Sequence, residues 1–272
     1  MTGCAPRCPE KNVYNGPTDP LLKVVQDINA NNGKIQTVWA QHDFEALIYD
    51  KDKSRSFSGS GTLQFRKPGD LLLSASGVIK FFEIGSNSET FWFTAFPDEV
   101  STQWWGRRDS FNPSAQSAQA MPIRPDLLVE VLGVHEIDTD FMRPPVPIMR
   151  FNNDEDAYMI TWNAPVANPQ RWAAVKEVWY DRKTRHPRSI LLFDENGRVV
   201  LRAYLFDFKK IEGTDAEMAT RYDLYFPENK SHMVFTLTSL KQFNMVKGKK
   251  FPNDNTFVLP EDPGVQKRIE IR

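Results

Sequence analysis

The chain has 272 residues, with 34 Lys+Arg against 35 Asp+Glu and a formal net charge of −1. That balance excludes the basic footprint of a nucleic-acid binder, and the length suffices for a full core without disulfides or metal. Aromatic residues reach 12%, a content that suits strands or an apolar binding surface, and no stretch approaches the roughly 18 consecutive apolar residues that span a bilayer.

Residues 1–18 hold three Pro and two Gly without apolar periodicity and read as a flexible tether. Cys4 and Cys8, the only cysteines, both lie in it. Met1-Thr2-Gly3-Cys4 is similar to the last residues of a bacterial lipoprotein signal, without the apolar run that such a signal carries ahead of them. Two readings stay open: Cys4 is lipidated, or Gly3-Cys4 is a chance pair in a tail.

From Asp19 to Asn32 the spacing of Leu21, Leu22, Val24, Val25 and Ile28 predicts a helix, with Asp19 as cap, Pro20 in the first turn and Asn31-Asn32-Gly33 as its end. Strands follow. Between Thr37 and Ile48 the even positions Val38, Ala40, His42, Phe44, Ala46 and Ile48 form one face of a half-buried strand. Residues 50–58 read as a polar loop, and 59–67 as a second strand ending in the turn Pro68-Gly69-Asp70. Strands are expected at 71–76, 79–84, 90–96 and 101–105. Residues 106–125 read as a loop, and Arg124–Leu132 as a short amphipathic helix stopped by Gly133. The run Arg143-Pro144-Pro145-Val146-Pro147 cannot pair as a central strand.

Further strands are expected at 148–153, 156–163, 172–181, 188–194, 198–209, 219–226, 231–240 and 255–259, with a hairpin turn at Asp194-Glu195-Asn196-Gly197. Strand after strand at this spacing describes a mainly β, antiparallel meander in one domain over 19–272. Several strands are apolar on both faces: Val199, Leu201, Ala203 and Leu205 against Val200, Tyr204, Phe206 and Phe208, and Phe91 and Phe93 against Trp92. Such strands call for a covering on each side, from a second layer, a helix or an apolar ligand.

Motifs for catalysis are sparse. His42, His135, His186 and His232 lack metal-ligand spacing, and His42 reads as a hydrogen-bonded core histidine. Ser58-Gly59-Ser60-Gly61 opens a strand with no helix after it, unlike a nucleophile elbow. Asp154-Glu155-Asp156 reads as a solvated turn. No cofactor or metal is expected, and the chain does not read as an enzyme. Trp104-Trp105-Gly106-Arg107-Arg108 suits a lipid headgroup or a plain strand end, and the segment 51–57, with Phe57 among cations, suits an anionic membrane or an ordinary loop.

Beyond these patterns lies a family resemblance. Gly61 to Leu73 (Gly-Thr-Leu-Gln-Phe-Arg-Lys-Pro-Gly-Asp-Leu-Leu-Leu) resembles the strand, Lys-Pro, strand step of the LolA/LolB-like lipoprotein carriers. Gly85 to Phe93 is similar to the Asn-Gly-x-Phe/Leu-Trp hairpin that follows it there, with Ser88 where Gly is usual. Tyr180-Asp181, Pro187 to Ile190 and Asp194 to Arg198 resemble the C-terminal hairpin, and Phe257-Val258-Leu259-Pro260 the last strand. The matches run in order over roughly 20–268, with insertions expected around 106–125 and 141–170.

The resemblance implies a strongly curved antiparallel sheet, an incomplete β-barrel, closed by the two helices as lid elements. It implies that the hollow accepts lipoprotein acyl chains or other lipids, in a monomer on the periplasmic side of a bacterial envelope, outer-membrane anchored if Cys4 is acylated. The expected hollow residues are Val38, Phe44, Leu63, Phe65, Leu71, Leu73, Phe91, Phe93, Trp162, Phe206 and Phe208, each of which also reads as plain core. The other open reading is an envelope structural or sensory module with a filled core that binds protein.

Overall fold

The structure, a computed structural model, describes residues 13–50, 53–97, 100–111, 124–166, 171–228, 230–243 and 254–271. Helix α1 (Leu21–Asn32) precedes a meander of β1 (Thr37–Asp50), β2 (Lys53–Arg66), β3 (Asp70–Ser76), β4 (Lys80–Ser86), β5 (Thr90–Ala95) and β6 (Thr102–Arg107). Helix α2 (Pro125–Val131) separates it from a second meander. That one comprises β7 (Val146–Asn152), β8 (Ala157–Pro165), β9 (Trp172–Asp181), β10 (Pro187–Phe193) and β11 (Val199–Phe206), then the short pair β12 (Lys209–Lys210) and β13 (Glu217–Met218), then β14 (Arg221–Phe226) and β15 (Ser231–Lys241). A 3-10 turn (Asp254–Phe257) and β16 (Lys267–Ile271) end the chain.

Fourteen strands form one open sheet in the order β16-β6-β5-β4-β3-β2-β1-β15-β14-β11-β10-β9-β8-β7. The meanders meet where β1 pairs with β15, and every pair is antiparallel except β16 with β6. The sheet is strongly curled. Phe44 on β1 and Phe82 on β4 are three strand spacings apart, about 14 Å in a flat sheet. Their ring centroids lie 5.2 Å apart. Between them the sequence places Gly59, Gly61 and Ala75, which leave the rings room to meet. The mainly β, incompletely closed sheet with two covering helices is thus the observed architecture.

The even face of β1 is buried as its alternation predicts: Val38, Ala40, His42, Phe44 and Ala46 all lie inside. Helix α1 buries Val24, Val25 and Ile28, and three asparagines tie it down. Asn29 makes paired bonds to the backbone of Ile137, Asn31 to that of Glu217, and Asn32 donates to the carbonyls of Gly133 and His135. The start of α1 departs from expectation. Asp19 makes no capping bond, and Pro20 holds the cap position. Asp19 instead pairs with Arg185, and its N–H donates to the Tyr158 hydroxyl at 2.7 Å, so a tertiary ion pair outcompetes the local cap.

Other corrections have local causes. The expected polar loop at 50–58 is mostly ladder, because β1 continues to Asp50 and β2 pairs with it from Lys53. Residues 255–259 are not a strand: the 3-10 turn buries Phe257 against Phe243 and places it under Arg66. The last strand is β16, whose charged residues hide its apolar positions Ile269 and Ile271. Pro147 lies inside β7, which is tolerated because β7 is a sheet edge. On β11 only one face is covered. Leu201, Ala203 and Leu205 point inward, while outside Tyr204 packs edge-on against Tyr225 and Arg221 lies over Phe206. Cross-strand pairs there do the work assigned to a second layer. On β5 both faces are buried, Phe91 and Phe93 on one and Trp92 on the other.

Candidate functional site

Two places on the inner side of the sheet stand out, and α2 lies between them. The first is apolar. Leu63, Leu71 and Leu73 on β2 and β3 face Tyr222, Leu224, Phe235 and Leu237 on β14 and β15, and α2 fills the gap with Leu128, Val131 and Leu132. A cavity of about 30 Å³ remains. The open hollow that the resemblance implies is therefore occupied in this structure by the helix itself. α2 forms there because Pro125 suits its first turn and Gly133, at φ +70, ends it.

The expected hollow residues divide by position. Val38, Phe44, Leu63, Phe65, Leu71, Leu73, Phe91 and Phe93 are buried in the one core that α2 closes. Trp162 is buried too, but it lines the second place. Phe206 and Phe208 join neither. Phe206 is 43% exposed on the outer face, because the period of β11 points Leu201, Ala203 and Leu205 inward. Phe208, beyond the strand, stacks on the His186 ring at 4.0 Å. Trp104 and Trp105 sit within β6, Trp104 against Phe93 and Trp105 beneath Arg268. Cys4 and Lys51 lie outside the described residues.

The second place is a cleft of about 240 Å³ between the segment after α2 and strands β8, β9 and β10. Its apolar wall includes Trp162, Val178 and Ile190. Its polar lining is charged. Lys176 pairs with Glu130 of α2 at 2.9 Å and lies over the Trp162 ring at 4.9 Å. Trp162 and Lys176 are ladder partners, so the sheet itself sets that contact. Burial pushes the Glu130 carboxyl up, but Lys176 and His135 more than offset this and hold it below the usual value. Burial holds His135 low, partly countered by Glu130. It is neutral near pH 7 and donates from Nε2 to the Pro68 carbonyl at 2.9 Å. Tyr180 is 6% exposed, and burial, with Glu130 nearby, raises its hydroxyl well above the ordinary phenol value.

Sequence reasoning singled out Trp162 but not Glu130, Lys176 or Tyr180 as site residues. A signal was present: Lys176 shares the inward face of β9 with Val178 and Tyr180, where a cation is unusual unless partnered. Among the described residues no group of three or more His, Cys, Asp or Glu side chains is placed to hold a metal, and no helix is long and apolar enough to cross a membrane.

No family model matches the sequence, and no match was found among curated proteins. Solved structures do match in shape. A LolA superfamily protein from Nitrosomonas europaea aligns over 87% of this chain and 96% of its own, at 12% identity and a TM-score of 0.50. A DUF1329 family protein from Desulfovibrio piger aligns over 89% and 98%, at 17% identity and a TM-score of 0.51. The chain shares its fold with these two solved structures.

Proposed function

We propose that this is a non-enzymatic protein of the bacterial envelope that binds lipoprotein acyl chains or other lipids on the inner face of its open sheet. Residues 19–272 act as one domain, on the periplasmic side, as a monomer, with Cys4 as the lipid anchor. One observation carries the reading: the apolar inner face is covered by a seven-residue helix and not by a second sheet. The fold shared with a LolA superfamily protein and the motif order support it.

Magnitudes favour exchange of that helix for a lipid. Each buried Leu or Val contributes about 1.5–3 kcal/mol, so withdrawing Leu128, Val131 and Leu132 costs roughly 5–9 kcal/mol. An acyl chain with about 14 methylenes gains about 11 kcal/mol, at about 0.8 kcal/mol each. A long chain therefore outweighs the three side chains, and a short one does not.

The test is native mass spectrometry of protein purified from the envelope, with and without detergent. Co-purified acylated species support the reading, and an apo mass that never shifts on adding lipid overturns it. A second reading, an envelope structural or sensory module, draws on the filled interior, and it is the one that survives the latter result.

A further inference from the structure

We propose that the cleft beside Tyr180 is a preformed site for the head of a small, net-neutral amphiphile bearing a carbonyl or hydroxyl oxygen. The Tyr180 side chain is almost wholly buried, lines the cleft, and its hydroxyl takes no hydrogen-bond partner among the described residues. The hydroxyl keeps contact with the solvent of the cleft, and a ligand oxygen would take the place of that solvent.

Charge sets the ligand class. The cleft's cations are already neutralised: Lys176 by Glu130, and Arg143 by Asp138. Lys67, beside the lining residue Glu136, is paired with it at 2.9 Å. Asp140 adds an exposed carboxylate at the rim, bonded to the Met142 N–H. Among the described residues no lining cation is left unpaired to receive an anionic head, and an anion would meet the carboxylate of Asp140, which has no ion-pair partner among them. The wall of Trp162, Val178 and Ile190 offers apolar surface for the first carbons of a chain. At about 240 Å³ the cleft is smaller than a drug-sized pocket, which suits a head and a short chain.

The cleft lies across α2 from the apolar face, so Glu130, Gly133 and Tyr180 line it while Leu128, Val131 and Leu132 face the other way. It needs no movement of α2. The inference rests on the lipid-binding reading for its choice of amphiphile, and it adds a head site.

The test is calorimetric titration of the full chain at pH 7.5 with 1-octanoylglycerol and with sodium octanoate. The expected result is binding of the neutral ester at least about ten times tighter than the anion. Tyr180→Phe, which deletes only the hydroxyl, should weaken the ester about fivefold, the equivalent of roughly 1 kcal/mol, with thermal unfolding intact. Equal binding of ester and octanoate, no binding of the ester, or an unchanged Tyr180→Phe affinity overturns the inference. The wild-type comparison decides alone if the variant does not fold. Lengthening the chain from eight to sixteen carbons separates the two readings. A gain with length reads the face beneath α2, and binding of the short ester reads the cleft. Long-chain binding without short-ester binding therefore removes only the cleft.

Discussion

His42 on β1 reaches across Gly61 of β2 and donates from Nε2 to the Ser74 carbonyl of β3 at 2.9 Å. One imidazole thus joins three neighbouring strands. The Phe235 ring meets it edge-on at 5.4 Å. Its Nδ1 is buried without a partner among the described residues, so within them the histidine contributes one hydrogen bond and carries one unsatisfied acceptor.

Burial depresses the His42 pKa from its ordinary value of 6.5, partly opposed by the Ser74 carbonyl. Between that value and the lower folded one, the unfolded chain binds more protons than the folded chain. Stability therefore falls as pH drops below about 6.5, and the fall levels off below the folded pKa. His135 and His186 are depressed by burial too and add to the slope. His42→Leu should lower stability by about 1–3 kcal/mol at pH 8 through the lost bond, yet show a shallower decline toward pH 5. Urea unfolding at both pH values checks this, and a parallel decline would remove His42 from the titration.

Gly61 is the position that lets the imidazole pass. A methyl group built on it would overlap the Ser74 carbonyl oxygen, which is backbone and cannot swing away, and would sit 2.9 Å from His42 Nε2. Gly61→Ala should therefore destabilise by more than about 3 kcal/mol, beyond the common range for a point substitution. Gly197, at φ +76 with open space around it, serves as contrast. Gly197→Ala should cost only the strain of that backbone angle, about 1–2 kcal/mol. Comparing the two denaturation midpoints ranks close approach against conformational strain.

Asn29 of α1 accepts the Ile137 N–H on Oδ1 and donates to the Ile137 carbonyl from Nδ2, both at 2.8 Å. It fixes the strandless segment that supplies His135 and Ile137 to the cleft. Asn29→Ala removes both bonds and leaves the Ile137 backbone groups without a partner. The expected loss is about 2–4 kcal/mol, at roughly 1–2 for each group. Hydrogen exchange should show the 133–137 amides exchanging faster while those of β8 to β10 do not. Uniform acceleration would show that Asn29 supports the whole fold and not this segment.

Where the architecture was legible in the sequence, one rule dominated the segment. The even face of β1 and the Pro125-to-Gly133 helix follow from period and caps, and both are observed. Reading failed where long-range partners decided. Asp19 carries the mark of a cap, but Arg185 takes it. Lys53 to Ser58 lacks an apolar period, yet β1 pairs with it along its length. The cleft was illegible because its charges come from α2, β9 and a loop that are distant in sequence. Lys176 alone could have flagged it, as a cation on the apolar face of a strand.

The same difficulty hid β16, and its role can be tested directly. It pairs in parallel with β6 from Lys267 to Ile271, buries Ile271, and bonds Arg268 to Gln103 Oε1 at 2.8 Å. Gln103 in turn donates to Thr94 on β5 at 3.2 Å, so β16 completes a polar chain two strands deep. Without it β6 becomes the sheet edge, with the backbone groups that met β16 left open and Trp104 and Trp105 beside them. An open, aromatic edge is a template for pairing with another chain. Truncation after Gln266 should therefore lower the unfolding temperature and make the protein associate as its concentration rises. Light scattering coupled to size exclusion, at two concentrations about tenfold apart, reads this out. A truncated chain that stays monomeric at both, with unchanged melting, would mean that β16 merely lies on β6. Association confined to the truncated form would mean that the charged strand protects the edge it covers.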